Sequence, residues 1–510
     1  MAVTSRPDPL LHSAHAAVAP TAGVSRTDRL LLANAITGQF LAGVASRIFI
    51  VSLPTIASAL NADILAISWA LIAYQLAGIS LSVVFGRLGD VYGRYAIYGL
   101  GFAVMAVSSL LCGLAPSALA LVGFRFAQGL GAAMLASATR VLAMEAMPEN
   151  AAGRANGYMT MAFHGGLLVG PPLGGLVIDL ASWRWIFFLL VPVAVTGVVL
   201  TIARARGRHV VAPPRAVSID YAGAGLLVVL TVSLTLLLDR RGAELIGGGG
   251  KTAMAVVFGA TLVGFLAHER RAADPVVNLR LFGIRMFSWS VLSLLLIATT
   301  TSVMTFLMPF YLQDVLHFSP SVIGLVFLAA PVFTIGLAGV SGMLTDRIGP
   351  RAPTTLGVLM TMGAFAIGAL LRPDSAWILP VLMMVLLGVG SGFFNAPNQA
   401  AIVGSVPRDY RGFATGMVQT LFGAGSLLGI SLGGVLLTVA YRHYSGLRDV
   451  TPSAEVPGAF VAAINVTFLV CLAVTALSLG ASVMRGGTRI EAAELSAPPR
   501  RPSPRGAAGS

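Results

Sequence analysis

Fourteen apolar runs, divided by short polar segments, leave this chain few folds to choose from. They lie at roughly 30–59, 66–85, 95–114, 118–140, 155–179, 185–203, 220–238, 252–267, 287–312, 320–341, 353–371, 376–402, 413–440 and 458–483, the run at 252–267 being the shortest. A helix of about 20 apolar residues crosses a hydrocarbon core and satisfies its own backbone there. Composition agrees: of 510 residues 56% are hydrophobic and 10% charged, against roughly a quarter charged in soluble domains. A soluble globular enzyme is excluded. The expected class is an all-α polytopic membrane protein, and its 58 glycines suit closely packed membrane helices.

The net charge of +13 does not point to nucleic acid, because the charges sit between the apolar runs. With the N-terminus inside, cytoplasmic segments hold 23 of the 33 Lys and Arg residues and external loops hold 7, as the positive-inside rule asks. Fourteen spans place both termini in the cytoplasm. The tails 1–29 and 484–510 read as disordered and cytoplasmic, and the first is not a signal peptide. Cys112 and Cys471 lie inside apolar runs, so buried thiols are expected, with no disulfide, metal site or cofactor.

The chain repeats itself. Gly86-Arg-Leu-Gly-Asp90-Val-Tyr-Gly93-Arg94 follows the second run, and Gly342-Met-Leu-Thr-Asp346-Arg-Ile-Gly349-Pro-Arg351 follows the tenth. Glycines 157, 166, 170, 174 and 175 reappear at 416, 425, 429, 433 and 434, a constant shift of 259 that Phe163 and Phe422 share. Gly129 and Gly131 match Gly388 and Gly390. The division expected is a six-helix bundle at 30–203, a linker at 204–286 with two extra helices (220–238 and 252–267), and a second six-helix bundle at 287–483. Two similar bundles around a midplane site are the architecture of alternating-access transporters.

These motifs resemble the major facilitator superfamily over nearly the whole chain. Gly86 to Arg94 is similar to its signature loop, Arg125-Phe-Ala-Gln128-Gly129 to its span-4 motif, and Gly157, Gly166, Gly170, Pro171, Gly174 and Gly175 to its span-5 antiporter motif. Ser52-Leu53-Pro54, Trp183-Arg184-Trp185-Ile-Phe187 with Val191-Pro192, Asp220 with Gly223, and Tyr311-Leu312-Gln313 resemble the fourteen-span drug:proton antiporter-2 family. The resemblance implies the major facilitator fold with 14 transmembrane helices, and proton-coupled export. The chain departs from the family where function is set. The family's span-1 acid falls at Ala45, its neighbouring Thr position is Arg47, and the Asn before Val-Pro in span 6 is Leu190.

A charge at the bilayer centre costs about 2.5–3.5 kcal/mol on insertion scales, so each is a functional hypothesis. No acid lies near the centre of a run: Asp90, Glu145, Asp179, Asp220 and Asp314 are at helix ends. Arg125, beside Gln128, is either a coupling cation in the cavity or a hub bonded to backbone carbonyls. Arg47 either holds an anionic substrate group or snorkels to an external headgroup. His164 is either the carrier of the exchanged proton or a hydrogen-bonded interface residue. Asp90 and Asp346, with Gly86, Gly93, Arg94, Gly342 and Gly349, read as gating loops in which a carboxylate accepts from helix-terminal amides and an arginine, and Gly86 and Gly93 allow a tight turn. Gln39, Tyr74, Gln75, Asn395, Asn398, Gln399 and Gln419 are polar positions inside apolar runs and candidate cavity residues.

The reading is a monomeric secondary transporter of a bacterial inner membrane. Its expected partners are protons, membrane lipids and a small amphipathic substrate, which it exports. No ATP-binding Gly-x-x-x-x-Gly-Lys-Ser/Thr motif and no His-Glu-x-x-His motif occurs, so it is not expected to be an enzyme. A proton-independent uniporter, importer or lipid flippase is the nearer alternative, and a non-transporting sensor or scaffold the more distant one.

Overall fold

A computed structural model describes residues 26–147, 152–205, 250–270, 279–407, 410–446 and 456–485, with isolated positions at 223–237 and at 452. The first half contains α1 (Arg26–Val51), α2 (Leu53–Ala59), α3 (Ile64–Tyr92), α4 (Arg94–Gly113), α5 (Ala118–Glu145), α6 (Ala152–Leu180), α7 (Trp185–Phe188) and α8 (Leu190–Ala205). After α9 (Gly250–Glu269) come α10 (Arg285–Phe310), α11 (Pro320–Ile348), α12 (Arg351–Gly368), α13 (Ile378–Gly404), α14 (Arg411–Ser445) and α15 (Pro457–Met484). Among the described residues ten helices are long and apolar enough to cross a membrane. The expected span at 220–238 and the two tails fall almost wholly outside the described residues; α1 itself begins at Arg26, four residues before the expected start.

Local chemistry sets the breaks. α1 stops at Val51, where the Ser52 hydroxyl turns back to the Phe49 carbonyl at 2.7 Å and Pro54 opens α2. Asp63 caps α3 by accepting from the Ala66 amide at 2.7 Å. α3 and α11 end on Gly93 (φ 95°) and Gly349 (φ 80°), a conformation that a Cβ disfavours. The turn of the signature segment is narrower than the sequence suggests: Gly86 lies inside α3, which runs unbroken to Tyr92, and Gly93 alone carries the turn. Gly342 likewise lies inside α11.

The duplication is visible in the packing. In the first half α1 packs on α6, and α5 on α3 and α4; in the second, α10 packs on α14, and α13 on α11 and α12. Glycine makes these contacts close. A Cβ on Gly166 would meet the Val44 amide at 2.7 Å and one on Gly174 the Ile48 carbonyl at 2.8 Å; one on Gly425 would meet the Leu295 carbonyl at 2.9 Å. Gly129 faces the Tyr74 carbonyl as Gly388 faces that of Ala330. Cys112 and Cys471 are free, buried thiols.

Candidate functional site: the seam between the halves

The halves are joined at the end where α2 meets α3 and α6 meets α7. The Asp179 carboxylate, near the end of α6, accepts from the Ser321 amide in the first turn of α11 at 2.9 Å. This places a negative charge at a helix N-terminus, the favourable sign. The Thr55 hydroxyl donates to the Gln313 side-chain oxygen at 3.1 Å. Backbones approach too closely for side chains: a Cβ on Gly175 would collide with the Pro320 carbonyl, and one on Gly324 would lie 2.6 Å from that of Pro171. Gly434, the repeat partner of Gly175, crosses in the other direction, where a Cβ would lie 2.7 Å from Leu65 Cδ2.

Further along, the contact ends. α11 buries Ile323, Gly324, Val326 and Phe327 near its start, but Ile335, Val340 and Met343 are exposed and Gly336, Gly339 and Gly342 have nothing within 4 Å of a Cβ. The two signature segments lie at this second end. Asp346 is exposed, Arg94 is half-buried at the start of α4, and the Asp90 side chain is outside the described set.

Arg125 sits inside the first half. It is fully buried. Its Nε donates to the Ala70 carbonyl and its Nη1 to that of Ala45, each at 3.3 Å, and Nη1 also donates to Gln128 Oε1. The guanidinium lies over the rings of Tyr74 and Phe49, 4.3 and 4.6 Å from their centroids. Gln128 passes the chain on, donating to the Ser109 hydroxyl at 2.8 Å, while Arg125 Nη2 has no partner. Carbonyls and π-faces therefore surround this cation where a carboxylate would be the simpler partner. Ala45, where the family pattern has its acid, is one of those carbonyls.

Arg47 is placed otherwise. Asn34, Ala45 and Phe49 form the face of α1 that packs into its own half: Asn34 donates to Thr201 at 2.9 Å, Ala45 accepts from Arg125, and Phe49 meets Phe187 at 5.9 Å. Arg47 is two residues from Ala45, about 200° around the helix at roughly 100° per residue, and so lies on the side of α1 that packs on α6. It is half-buried, with its Cβ against Gly170. Phe40 shares this face and is partly exposed. His164 lies eleven residues before Gly175, on the side of α6 that meets α11, at the level where α11 no longer covers it, and is exposed. Its repeat partner is Gly423.

The remaining polar positions divide. Tyr74 and Gln39 are buried and Gln75 is half-buried. Asn398 is buried in the second half, donating to the Ser290 carbonyl at 3.3 Å. Asn395, Gln399 and Gln419 are exposed. Gly157 lies in α6, two turns before the ladder of Gly166, Gly170 and Gly174 against α1, and Pro171 is inside the same helix. Sequence reasoning did not reach Phe49, Ser109, Thr55 or the partner of Asp179, and it met Gln313 only inside the motif that closes span 9. The first two lack polar singularity, and the others depend on which helix ends meet.

The model of the Major Facilitator Superfamily matches residues 35–430 and 290–503. The chain belongs to that superfamily. It is 27% identical to the riboflavin transporter RibZ of Clostridioides difficile, over 75% of this chain and 82% of that one. It is 30% identical to the tetracenomycin C resistance and export protein of Streptomyces glaucescens, over 80% and 75%. It is 29% identical to the multidrug resistance protein Stp of Mycobacterium tuberculosis, over 81% and 76%. Its fold is similar to a bacterial homologue of the human lysosomal transporter Spinster in an inward-facing, unoccupied conformation, with TM-score 0.65 and 16% identity over 91% of this chain and 98% of that one. A major facilitator chain with these relatives is a multi-pass membrane transporter and not an enzyme.

Proposed function

We propose that this transporter exports small amphipathic compounds from a bacterial cytoplasm in exchange for protons. The carrying observation is the seam itself, held by cross-half contacts at the Asp179–Ser321 end and uncovered at the other, with His164 on the uncovered wall. The positive-inside count puts the closed end outside the cell, both termini in the cytoplasm, and the uncovered side facing the cytoplasm. Relatives named for resistance and export support the direction. No acid occurs near the middle of a span, so His164 takes the role of proton carrier, an imidazole being the side chain that changes charge near neutral pH. It gains a proton when the seam opens outward and releases it when the seam opens inward. Arg125 ties α1, α3 and α5 together and transmits their movement. The signature segments close the cytoplasmic end in the opposite state, and the chain works as a monomer.

The absence of a span-centre carboxylate also favours a second reading, proton-independent movement down the substrate's own gradient. Proteoliposomes loaded with a pH-sensitive dye separate the two. A panel of cationic, neutral and anionic amphipathic compounds is added to wild type, His164→Ala and Arg125→Ala. Export coupled to protons gives a dye signal that His164→Ala abolishes while labelled substrate still binds. Substrate crossing with a silent dye in wild type establishes the uncoupled reading instead.

A further inference from the structure

We propose that Arg47 holds an anionic group of the transported compound, which makes the substrate class amphipathic organic anions or zwitterions. This rests on the seam described above being the transport pathway, and it names what that pathway recognises. Of the three arginines inside spans of the first half (Arg47, Arg125 and Arg140), Arg125 and Arg47 are in opposite situations. Arg125 is enclosed by two carbonyls, a glutamine and two rings. Arg47 has no hydrogen bond, ion pair or aromatic face among the described residues.

Its own half supplies no partner by small adjustment. The acids of neighbouring α3 and α6 lie at helix ends, at Asp63, Asp90 and Asp179. Asp179 is nine residues beyond Gly170, the residue that touches Arg47, or about 13 Å along the helix, and its carboxylate is engaged with Ser321. The apolar span ends at Val51, four residues or about 6 Å of helix past Arg47, so snorkelling to an external headgroup is the competing role, and an Arg47 so engaged gives a wild type with no anion preference in the test below. What remains is a half-buried, unpartnered guanidinium at the edge of the α1–α6 contact, with the exposed Phe40 ring one face-repeat below it on α1 and the exposed His164 on α6. A planar, five-donor cation beside an aromatic surface fits a carboxylate, sulfonate or phosphate attached to a ring system. A cationic drug would be repelled there.

The test is equilibrium binding to purified full-length protein in nanodiscs, with no gradient. Three labelled naphthalene probes of matched size carry a carboxylate, a carboxamide or an aminomethyl group. Wild type is expected to prefer the carboxylate over the carboxamide by about tenfold or more, the scale of one charge-assisted contact. Arg47→Gln removes that preference and leaves carboxamide binding in place, which also reports that the variant is folded. Arg47→Lys keeps the anion preference, and it decides the case in which Arg47→Gln loses all binding. A wild type that prefers the aminomethyl probe or shows no preference overturns the proposal, as does an anion preference that survives Arg47→Gln. Anion binding that depends on Arg47, alongside a silent pH dye in proteoliposomes, refutes proton exchange and leaves this assignment standing.

Discussion

α5 and α13 occupy equivalent places in the two halves, yet one encloses a charge and the other does not. The glycines that let each helix approach its neighbours are repeated, Gly129 with Gly131 and Gly388 with Gly390. The residues around them are not. Arg125 is replaced by Met384 and Gln128 by Leu387, and all four are buried. The second half joins its helices through hydroxyl pairs instead: Ser293 with Ser478 at 2.7 Å, Thr475 with Thr300 at 3.2 Å, and Ser482 with Thr354 at 3.1 Å, where Thr354 also accepts from the buried Arg485 at 3.4 Å. One frame thus tolerates either a guanidinium or a thioether at the same depth. The repeated frame accommodates the position without a cation, and whether Arg125 serves folding or transport is what the paired substitution below decides.

The comparison breaks most severely where the two halves are alike. Gly175 and Gly434 are the paired crossings of the seam, and a side chain at Gly175 runs into the Pro320 backbone, which cannot step aside. Gly175→Leu is expected to abolish transport in proteoliposomes by holding the closed end apart, at a packing cost of about 1–3 kcal/mol or more. Gly416→Leu, in open space in the second half, is the control and leaves transport within about twofold, since surface changes of this kind stay near ±0.5 kcal/mol.

Copying the second half into the first is the next largest test. Arg125→Met with Gln128→Leu is expected to leave thermal stability in detergent nearly unchanged, within about 1 kcal/mol, because the charge and its hydrogen-bonding neighbour leave together. Transport is expected to fall by about a hundredfold or more, the loss of two to three charge-assisted contacts. Loss of stability and transport together would show that the hub is structural and that the comparison misleads.

How far these features were legible follows from what carries them. The bilayer imposes its own period on sequence, so the apolar runs became helices, and the glycine ladder could be read because close packing is a local demand repeated every turn. Arg125 and Gln128 stood out as polar residues in an apolar run. Their cage did not: Phe49 is one phenylalanine among 25, and Ala45 contributes a carbonyl, which every residue has. The Asp179–Ser321 bond joins positions 142 apart in the chain and follows from how the halves dock. The signature segment was read as a loop from its glycines, but a glycine inside a helix and one that ends it look alike until φ is known.

The Asp179 contact gives a smaller effect, because an exposed cap is worth about 0.5–2 kcal/mol. Asp179→Ala should shift the population closed at that end by roughly two- to thirtyfold toward the opposite state. Distances between spin labels at the ends of α6 and α11 report it. Asp179→Asn retains an acceptor for the Ser321 amide and should shift it less. Equal effects from both variants would assign the contact to charge at the helix N-terminus and not to the hydrogen bond.

The smallest effect belongs to the hydroxyl seam. Ser478→Ala removes the bond to the Ser293 hydroxyl, one of several similar pairs along α10, α12 and α15. Interhelical hydrogen bonds in membranes average about 0.6 kcal/mol, so a lowering of thermal stability by that amount is expected, with transport intact. The sharper outcome lies in combination. Because the pairs are distributed, Ser478→Ala with Ser426→Ala, which breaks the separate Ser302 pair, should be close to additive, whereas Arg125→Met and Gln128→Leu, which share one hydrogen-bond chain, should not be. A hydroxyl seam that behaved as one cooperative unit would mean that both halves concentrate their polar coupling, and that they differ in its chemistry alone.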